Sequence, residues 1–569
     1  MRSRFLICFL LISNILCAQE KTDYPVYPNP MLIPINLSAT FGELRNNAFH
    51  AGLDIKTGGR IGEKVYAVAD GYVSRIGVSP WGYGNVIYVT HDDGYTSVYA
   101  HLDKFNFLIG LYVKKKQMAS KSFAQNVFPE KDEIRVSKGD FLGLSGNSGG
   151  SGGPHLHFEI RDANQCPINP LFFGIKIKDG VKPVINGIAL YPKELSSVNG
   201  SDKAAYFNID SKSGKFNIDD KIKVNGTVFF GISTYDQTDD QYNKNGVYSI
   251  ELFADNRLIF SILFDKYSYD ETRYINSLID YKKFYNDKIR YVRTEIDEYN
   301  ILDLYGETSG SVTLQEGQEV EMKYVVKDYY GNTSTAKFTL VGDKPLNEYS
   351  DNQYGRAYYR VDGTSEVEVN LDGFTAKIPK KAFYKYEYVL ARQLDTVENI
   401  ASDYAYVLGT EDIPVQKNIT IRIRPAEQYA KSDKLYMVSV SEDGNFEAVG
   451  GKMVEGMISA NVKKFGTYAL ALDETAPQIC PKNFENNTKV IKCKRLKINI
   501  YDKESGINKY DIYLNDKWVV GAFDPKNDLL FYEVDEYLKL GNNKMEIVVT
   551  DGVGNETRKI YNIIRENPK

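Results

Sequence analysis

The sequence predicts a mainly all-β protein of several domains, and three observations carry that prediction. The chain has 569 residues, too many for one hydrophobic core. Its runs alternate apolar and polar residues with the period of two that belongs to strands, as in EKVYAVADGYVSRIG and GNVIYVTHDDGYTSVYAHL. Tyrosine, at 43 residues, is joined by abundant Asn, Asp, Gly and Thr, a mixture that suits β-sheet with frequent turns. Hydrophobic residues at 43% and charged residues at 25% place the chain among folded rather than disordered proteins.

Residues 1–18 open with Arg2 and Arg4, continue in an apolar run from Phe5 to Ile12, and end in Ala18, which predicts an export signal cleaved after Ala18. Lipid attachment at Cys17 is the alternative, disfavoured by the bulky Leu16 before it. The formal net charge is -5, and loss of that segment removes two arginines and no acid, leaving -7, so nucleic acid is not an expected partner. No later stretch reaches the roughly 18 apolar residues that span a bilayer. Of the cysteines that remain, Cys480 and Cys493 are close enough to close a short loop in an exported protein, and Cys166 is left over.

Four domains are expected after the signal. Residues 19–176 begin with a proline-rich lead and read as one compact β-domain. Residues 177–343 and 474–569 resemble each other: Tyr235-Asp236 and Tyr501-Asp502 recur, as do VVKDYYGNTS and VVTDGVGNET, each after a proline-led strand at Pro183 or Pro477. Strands closed by Gly-Asn turns predict two immunoglobulin-like sandwiches, the first carrying a helical insertion at YDETRYINSLIDYKKFYNDK. Between them, residues 344–473 form a β-rich unit whose alternation at Ile419, Ile421 and Ile423 marks strands but names no fold.

All five histidines fall between His50 and His157, and the downstream domains have none. His155-Leu156-His157 lies in a strand-like run, so both imidazoles project from one face. H-x-H alone is a weak signal, equally at home on a solvated strand. The second element is His50-Ala-Gly-Leu-Asp54, an imidazole and a carboxylate that suit zinc at about 2.0–2.2 Å. An extended chain would hold them about 13 Å apart, so the backbone must bend, and Gly52 is the permissive residue. Three ligands, His50, Asp54 and His157, would grip one Zn2+ and leave a coordination position for water. His101, ending the strand SVYAHL, is the natural partner across the cleft from His155, and His91, in the turn THDDGY, fits a supporting role.

FHAGLD, SVYAHL and KGDFLGLSGNSGGSGGPHLHFEI together closely resemble the lysostaphin/LytM-type zinc metallo-endopeptidases over residues 36–174. The resemblance implies their duplicated-hybrid-motif β fold and one Zn2+ on His50, Asp54 and His157. His155 and His101 match the non-ligand pair. One of them, expected to be His155, takes a proton from the attacking water, and the other holds or protonates the tetrahedral intermediate. The resemblance also implies peptidoglycan as substrate, with D-alanyl to diamino-acid bonds as targets in a Gram-negative envelope. The Gly-rich stretch Ser145–Gly153, with Asn147 and Ser148, is expected to rim the groove, and a long, partly basic insertion after His101 departs from the family core. Two other readings stay open: a LytM-like regulator that has lost catalysis, and a surface-binding β protein whose later domains contact envelope partners. Periplasm, envelope and exterior all fit export.

Overall fold

Alternating apolar side chains fold the N-terminal region into eleven short strands, all of them in one antiparallel sheet. The computed structural model describes residues 24–208, 221–349, 357–491 and 493–566. The expected export segment, with Cys8 and Cys17, lies outside the described residues. The strands are β1 Leu37–Ala39, β2 Leu53–Lys56, β3 Lys64–Tyr66, β4 Gly71–Val78, β5 Asn85–His91 and β6 Thr96–Phe105, then β7 Gln125–Val127, β8 Arg135–Val136, β9 Phe141–Ser145, β10 His155–Arg161 and β11 Pro167–Ile168. The sheet runs β1-β2-β10-β6-β5-β4-β7, with β3 and β9 paired beside β6. Leu156, Phe158 and Ile160 of β10 are fully buried against Ile55, Ile76 and Tyr99, so the other face of β10 is left for polar residues.

The insertion after His101 holds an α-helix that alternation does not reveal, α1, Phe107–Ser120. Asn106 caps it by accepting from the Ile109 N–H. Only Ile109, Val113 and Gln117 are buried, spaced by four, whereas Phe107, Leu108 and Leu111 face solvent. Its Lys114 reaches the last domain, pairing with Asp535 at 2.9 Å and Glu536 at 3.1 Å.

Downstream, strands dominate throughout. The strand Lys221–Tyr235 organises a ten-stranded sheet in residues 184–342, and the expected helical insertion is present as Thr272–Tyr274, Ile275–Leu278 and Tyr281–Asp287. Six- and five-stranded sheets enclose the next core, and four- and five-stranded sheets the last. Phe41, Phe49 and Ala51 of the N-terminal region lie in the same core as Ile188, Phe230 and Phe264. That shared core places the segment before β2 under the control of its neighbour. The loop suggested for Cys480 and Cys493 does not close: both are free thiols, as is Cys166, with Cys480 exposed in a strand paired to Asn499. Among the described residues no helix is long and apolar enough to cross a membrane.

Candidate metal centre

Strand pairing brings the first two ligand types together, because Asp54 of β2 stands directly opposite His157 of β10 and shares its face. His50 precedes β2, and the chain bends at Ala51-Gly52 as expected, though not through an unusual φ at Gly52. A Cβ there would lie 2.2 Å from the Phe158 carbonyl oxygen and 2.9 Å from Glu159 Cγ. Glycine is needed because β10 passes too close for any side chain.

His50 Nε2, Asp54 Oδ1 and His157 Nδ1 converge: 3.0 Å from His50 to Asp54, 2.7 Å from His157 to Asp54 and 3.0 Å between the imidazoles. All three residues are buried, at 3 to 5% exposure. The outer nitrogens settle which atoms carry protons. His50 Nδ1 donates to the Thr40 carbonyl at 2.7 Å, and His157 Nε2 donates to Glu159 Oε1 at 2.8 Å. A carbonyl and a carboxylate only accept, so both inner nitrogens of the neutral rings are bare lone pairs facing a carboxylate oxygen. Three acceptors within 3.0 Å repel one another unless a proton or a metal cation sits among them, and two imidazoles with one carboxylate are a zinc-type set. The residues therefore fit a metal. Asp54 Oδ2 is taken by Arg45 at 2.7 Å, which leaves Oδ1 for the centre.

Behind His157 lies a network that the sequence motifs do not announce. Glu159 is fully buried and accepts from Arg161 Nε at 2.7 Å, from the Tyr83 hydroxyl, and from the Tyr269 hydroxyl at 2.8 Å. Burial alone would raise its carboxyl, but the Arg161 charge, His157 and Tyr83 hold it down to about 2. That carboxylate fixes the His157 ring and makes it a stronger ligand. Burial pulls His157 down, but Asp54 and Glu159 outweigh it and lift the ring to about 9, so at neutral pH a metal ion competes with a proton for its inner nitrogen. Burial likewise works against ionised Asp54, while the surrounding imidazoles hold it well below the usual carboxylate range. Period two would have found Glu159 and Arg161, since 155, 157, 159 and 161 share one face. Nothing local points to Tyr269, which arrives from the following domain.

His101 and His155 stand beside this trio, with ring centroids 4.8 Å apart. His101 does not end its strand, which continues to Phe105. It sits where Asn85–Ile87 of β5 oppose Tyr99–Leu102 of β6, a bulge, and its φ of 60° is left-handed, the kind of strain found where a side chain is re-aimed. Its Nδ1 donates to the Ser148 carbonyl at 2.9 Å, and His155 Nδ1 donates to the Gly153 carbonyl at 2.8 Å. Both rings therefore keep a bare Nε2. That of His155 is 3.4 Å from Asp54 Oδ1, buried, and makes no hydrogen bond. Burial, with the neighbouring imidazoles, pushes His101 down to about 3, so it is neutral at ordinary pH.

The Gly-rich stretch thus orients both rings through its carbonyls. Ser148 Oγ bridges the Leu102 carbonyl at 2.8 Å and the Asn85 N–H at 2.9 Å, and Gly149 packs where a Cβ would meet Gly84 N at 2.3 Å. Asn147 offers its carbonyl to Lys526 of the last domain at 2.7 Å, and Ser151 does so at 3.0 Å. His91 is not part of the cluster: its ring bonds the Asp70 carbonyl at 3.2 Å and Ser97 Oγ at 2.7 Å.

The description Peptidase family M23 matches residues 48–127, and Zu5-like domain matches residues 359–473, the unit whose fold the sequence left unnamed. The DD-carboxypeptidase/endopeptidase Mpg of Neisseria meningitidis serogroup B is 30% identical over 158 residues, 27% of this chain and 30% of that protein. Peptidoglycan DD-endopeptidase ShyA of Vibrio cholerae is 32% identical over 121 residues, 21% of this chain and 22% of its own length. The chain thus spans about a third or less of these curated relatives. The solved catalytic domain of lysostaphin from Staphylococcus simulans matches at 25% identity with a TM-score of 0.19, covering 24% of this chain and 91% of that one. His155 and His157 lie beyond the matched family stretch, and it is strand pairing that delivers them to His50 and Asp54. Residues 48–127 of this chain are a peptidase M23 domain of the lysostaphin/LytM family.

Proposed function

We propose that the protein is an exported zinc endopeptidase that hydrolyses the peptide cross-links of peptidoglycan. The observation that carries the reading is the set of bare acceptors formed by His50, Asp54 and His157, with their outer atoms committed to Thr40, Arg45 and Glu159. The M23 match and the DD-endopeptidase named among the relatives support the substrate class. One Zn2+ held by these three residues would supply Lewis acidity toward water and a peptide carbonyl. The rest is done by the chain itself. His155, held through Nδ1 by Gly153, presents a bare Nε2 to take a proton from the attacking water. His101, held through Nδ1 by Ser148, is placed to steady or protonate the tetrahedral intermediate. The Zu5-like unit and the flanking sandwiches position this centre at the envelope.

A non-catalytic regulator would be marked by a missing ligand, and every ligand type is present. The test is digestion of isolated sacculi by the full chain, read as muropeptides beside a His155→Ala control. Cross-linked dimers should fall to monomers only with the unaltered protein. Equal inactivity of the two proteins, with zinc bound to both, sinks the reading in favour of the regulator.

A further inference from the structure

Away from the histidines, three carboxylates meet where the chain passes from the M23 domain into the first sandwich. Asp179 lies in the connecting segment, Asp236 just past the strand Lys221–Tyr235, and Asp328 just past the strand Glu319–Lys327. Each offers an oxygen within 4.8 Å of the others. Asp236 is 3% exposed, and its Oδ1 has no hydrogen-bond partner. The charges that act on Asp236 most strongly are Asp179 and Asp328, both of like sign.

A second observation points to a ligand. Asn245 pairs directly with Asp236, exchanging both backbone hydrogen bonds at 2.9 and 2.8 Å, so the two side chains share a face. Asn245 is 2% exposed, yet neither its Oδ1 nor its Nδ2 has a partner, and Thr238 Oγ1, 4% exposed as a residue, is in the same condition. Buried polar atoms left unpaired are costly, so this cluster of them needs a common explanation.

The internal repeat sharpens the point. Asp473, Asp502 and Asp551 occupy the corresponding places in the last sandwich; Asp328 and Asp551 are held alike, each by the asparagine four positions on, so the difference between the two clusters lies at Asp236, whose counterpart Asp502 is satisfied by N–H groups. Asp473 accepts from Thr475 and Ser505, and Asp502 accepts from Glu504 and Gly506. In the first sandwich the short stretch Lys503–Gly506 is replaced by the longer Gln237–Gly246, which brings the oxygen-bearing Thr238 and Asn245 in place of those donors.

We propose that Asp179, Asp236 and Asp328, with the Asn245 side-chain oxygen, form a calcium-binding site that clamps the connecting segment to the first sandwich. All the ligand atoms are hard oxygens, the preference of Ca2+ and not of zinc. Mg2+ dehydrates reluctantly and keeps several of its waters, so a buried set of protein oxygens suits Ca2+ better. Calcium supplies the positive charge that no lysine or arginine among the described residues brings to Asp236.

The experiment is calorimetric titration of Ca2+ into the zinc-loaded full chain, with unfolding midpoints measured at each end. The wild type should bind Ca2+ and unfold at a higher temperature. Asp236→Asn and Asp179→Asn should each lose at least about tenfold in affinity, Asn245→Ala less, and Asp502→Asn in the last sandwich nothing. Zinc content should match the wild type in every variant, which shows that each has folded and separates this site from the histidine centre. Absence of Ca2+ binding by the wild type at millimolar concentration overturns the proposal. So does undiminished binding by the folded Asp236, Asp179 and Asn245 variants.

Discussion

The proposed metal ligands and the proposed catalytic pair sit within a few ångströms of each other but are held in different ways. Asp54 and His157 are fixed by the β2–β10 ladder, and His50 by Thr40 and by a bend that fits only because residue 52 has no side chain. His101 and His155 are oriented instead by two carbonyls of a Gly-rich loop, Ser148 and Gly153, and Lys526 from the far end of the chain holds that loop in turn. A ladder sets position once, whereas a loop held by an amine can be adjusted. The contrast predicts that damage to the ladder side costs the metal, and damage to the loop side costs rate alone.

The largest effect is expected from Asp54→Ala, which leaves two imidazoles without the charge that joins them: zinc by mass spectrometry should fall to background, and muropeptide release with it. His155→Ala comes next. Zinc should stay while kcat falls by about 10²–10⁴, the usual worth of a positioned general base. Loss of zinc from that variant would break the distinction between the two groups. Tyr269→Phe removes one hydroxyl from Glu159, and competition with a chelator should show zinc affinity lower by about tenfold, the low end for a residue behind a ligand. The smallest effect belongs to Lys526→Ala, an exposed contact worth about 0.2–1 kcal/mol, so kcat should drop by about fivefold at most with zinc affinity unchanged. A change in zinc affinity there would erase the contrast.

Much of the centre could be read from residue types and spacing, because strand alternation is a strong local signal and five histidines in one region are a strong global one. His155, His157, Glu159 and Arg161 obey the same period of two, though only the first pair announces its chemistry. The bulge at His101 was illegible, since φ at one residue is set by the pairing of β5 with β6 and not by SVYAHL itself. The helix α1 was hidden by its own exposure: a helix touching the sheet through three residues has too narrow an apolar stripe to betray itself. The Tyr269–Glu159 bond depends on a contact between residues 110 positions apart, which nothing in the local sequence records, and the Arg45–Asp54 and Thr40–His50 bonds depend on how the segment before β2 folds back. The free thiols Cys480 and Cys493 show the opposite error, nearness in sequence without nearness of side chains.

Phe49 carries a consequence for how the molecule is assembled. Its N–H is bound by Thr272, 223 positions later, its carbonyl by the Tyr267 hydroxyl at 3.1 Å, and its ring by Phe264 and Tyr267. The residue after it is His50, so the earliest ligand in the chain waits for partners synthesised long afterwards. While the polypeptide is still emerging the candidate metal centre is therefore unfinished, and it closes only once the segment around Tyr267 and Thr272 has been made and has packed over it.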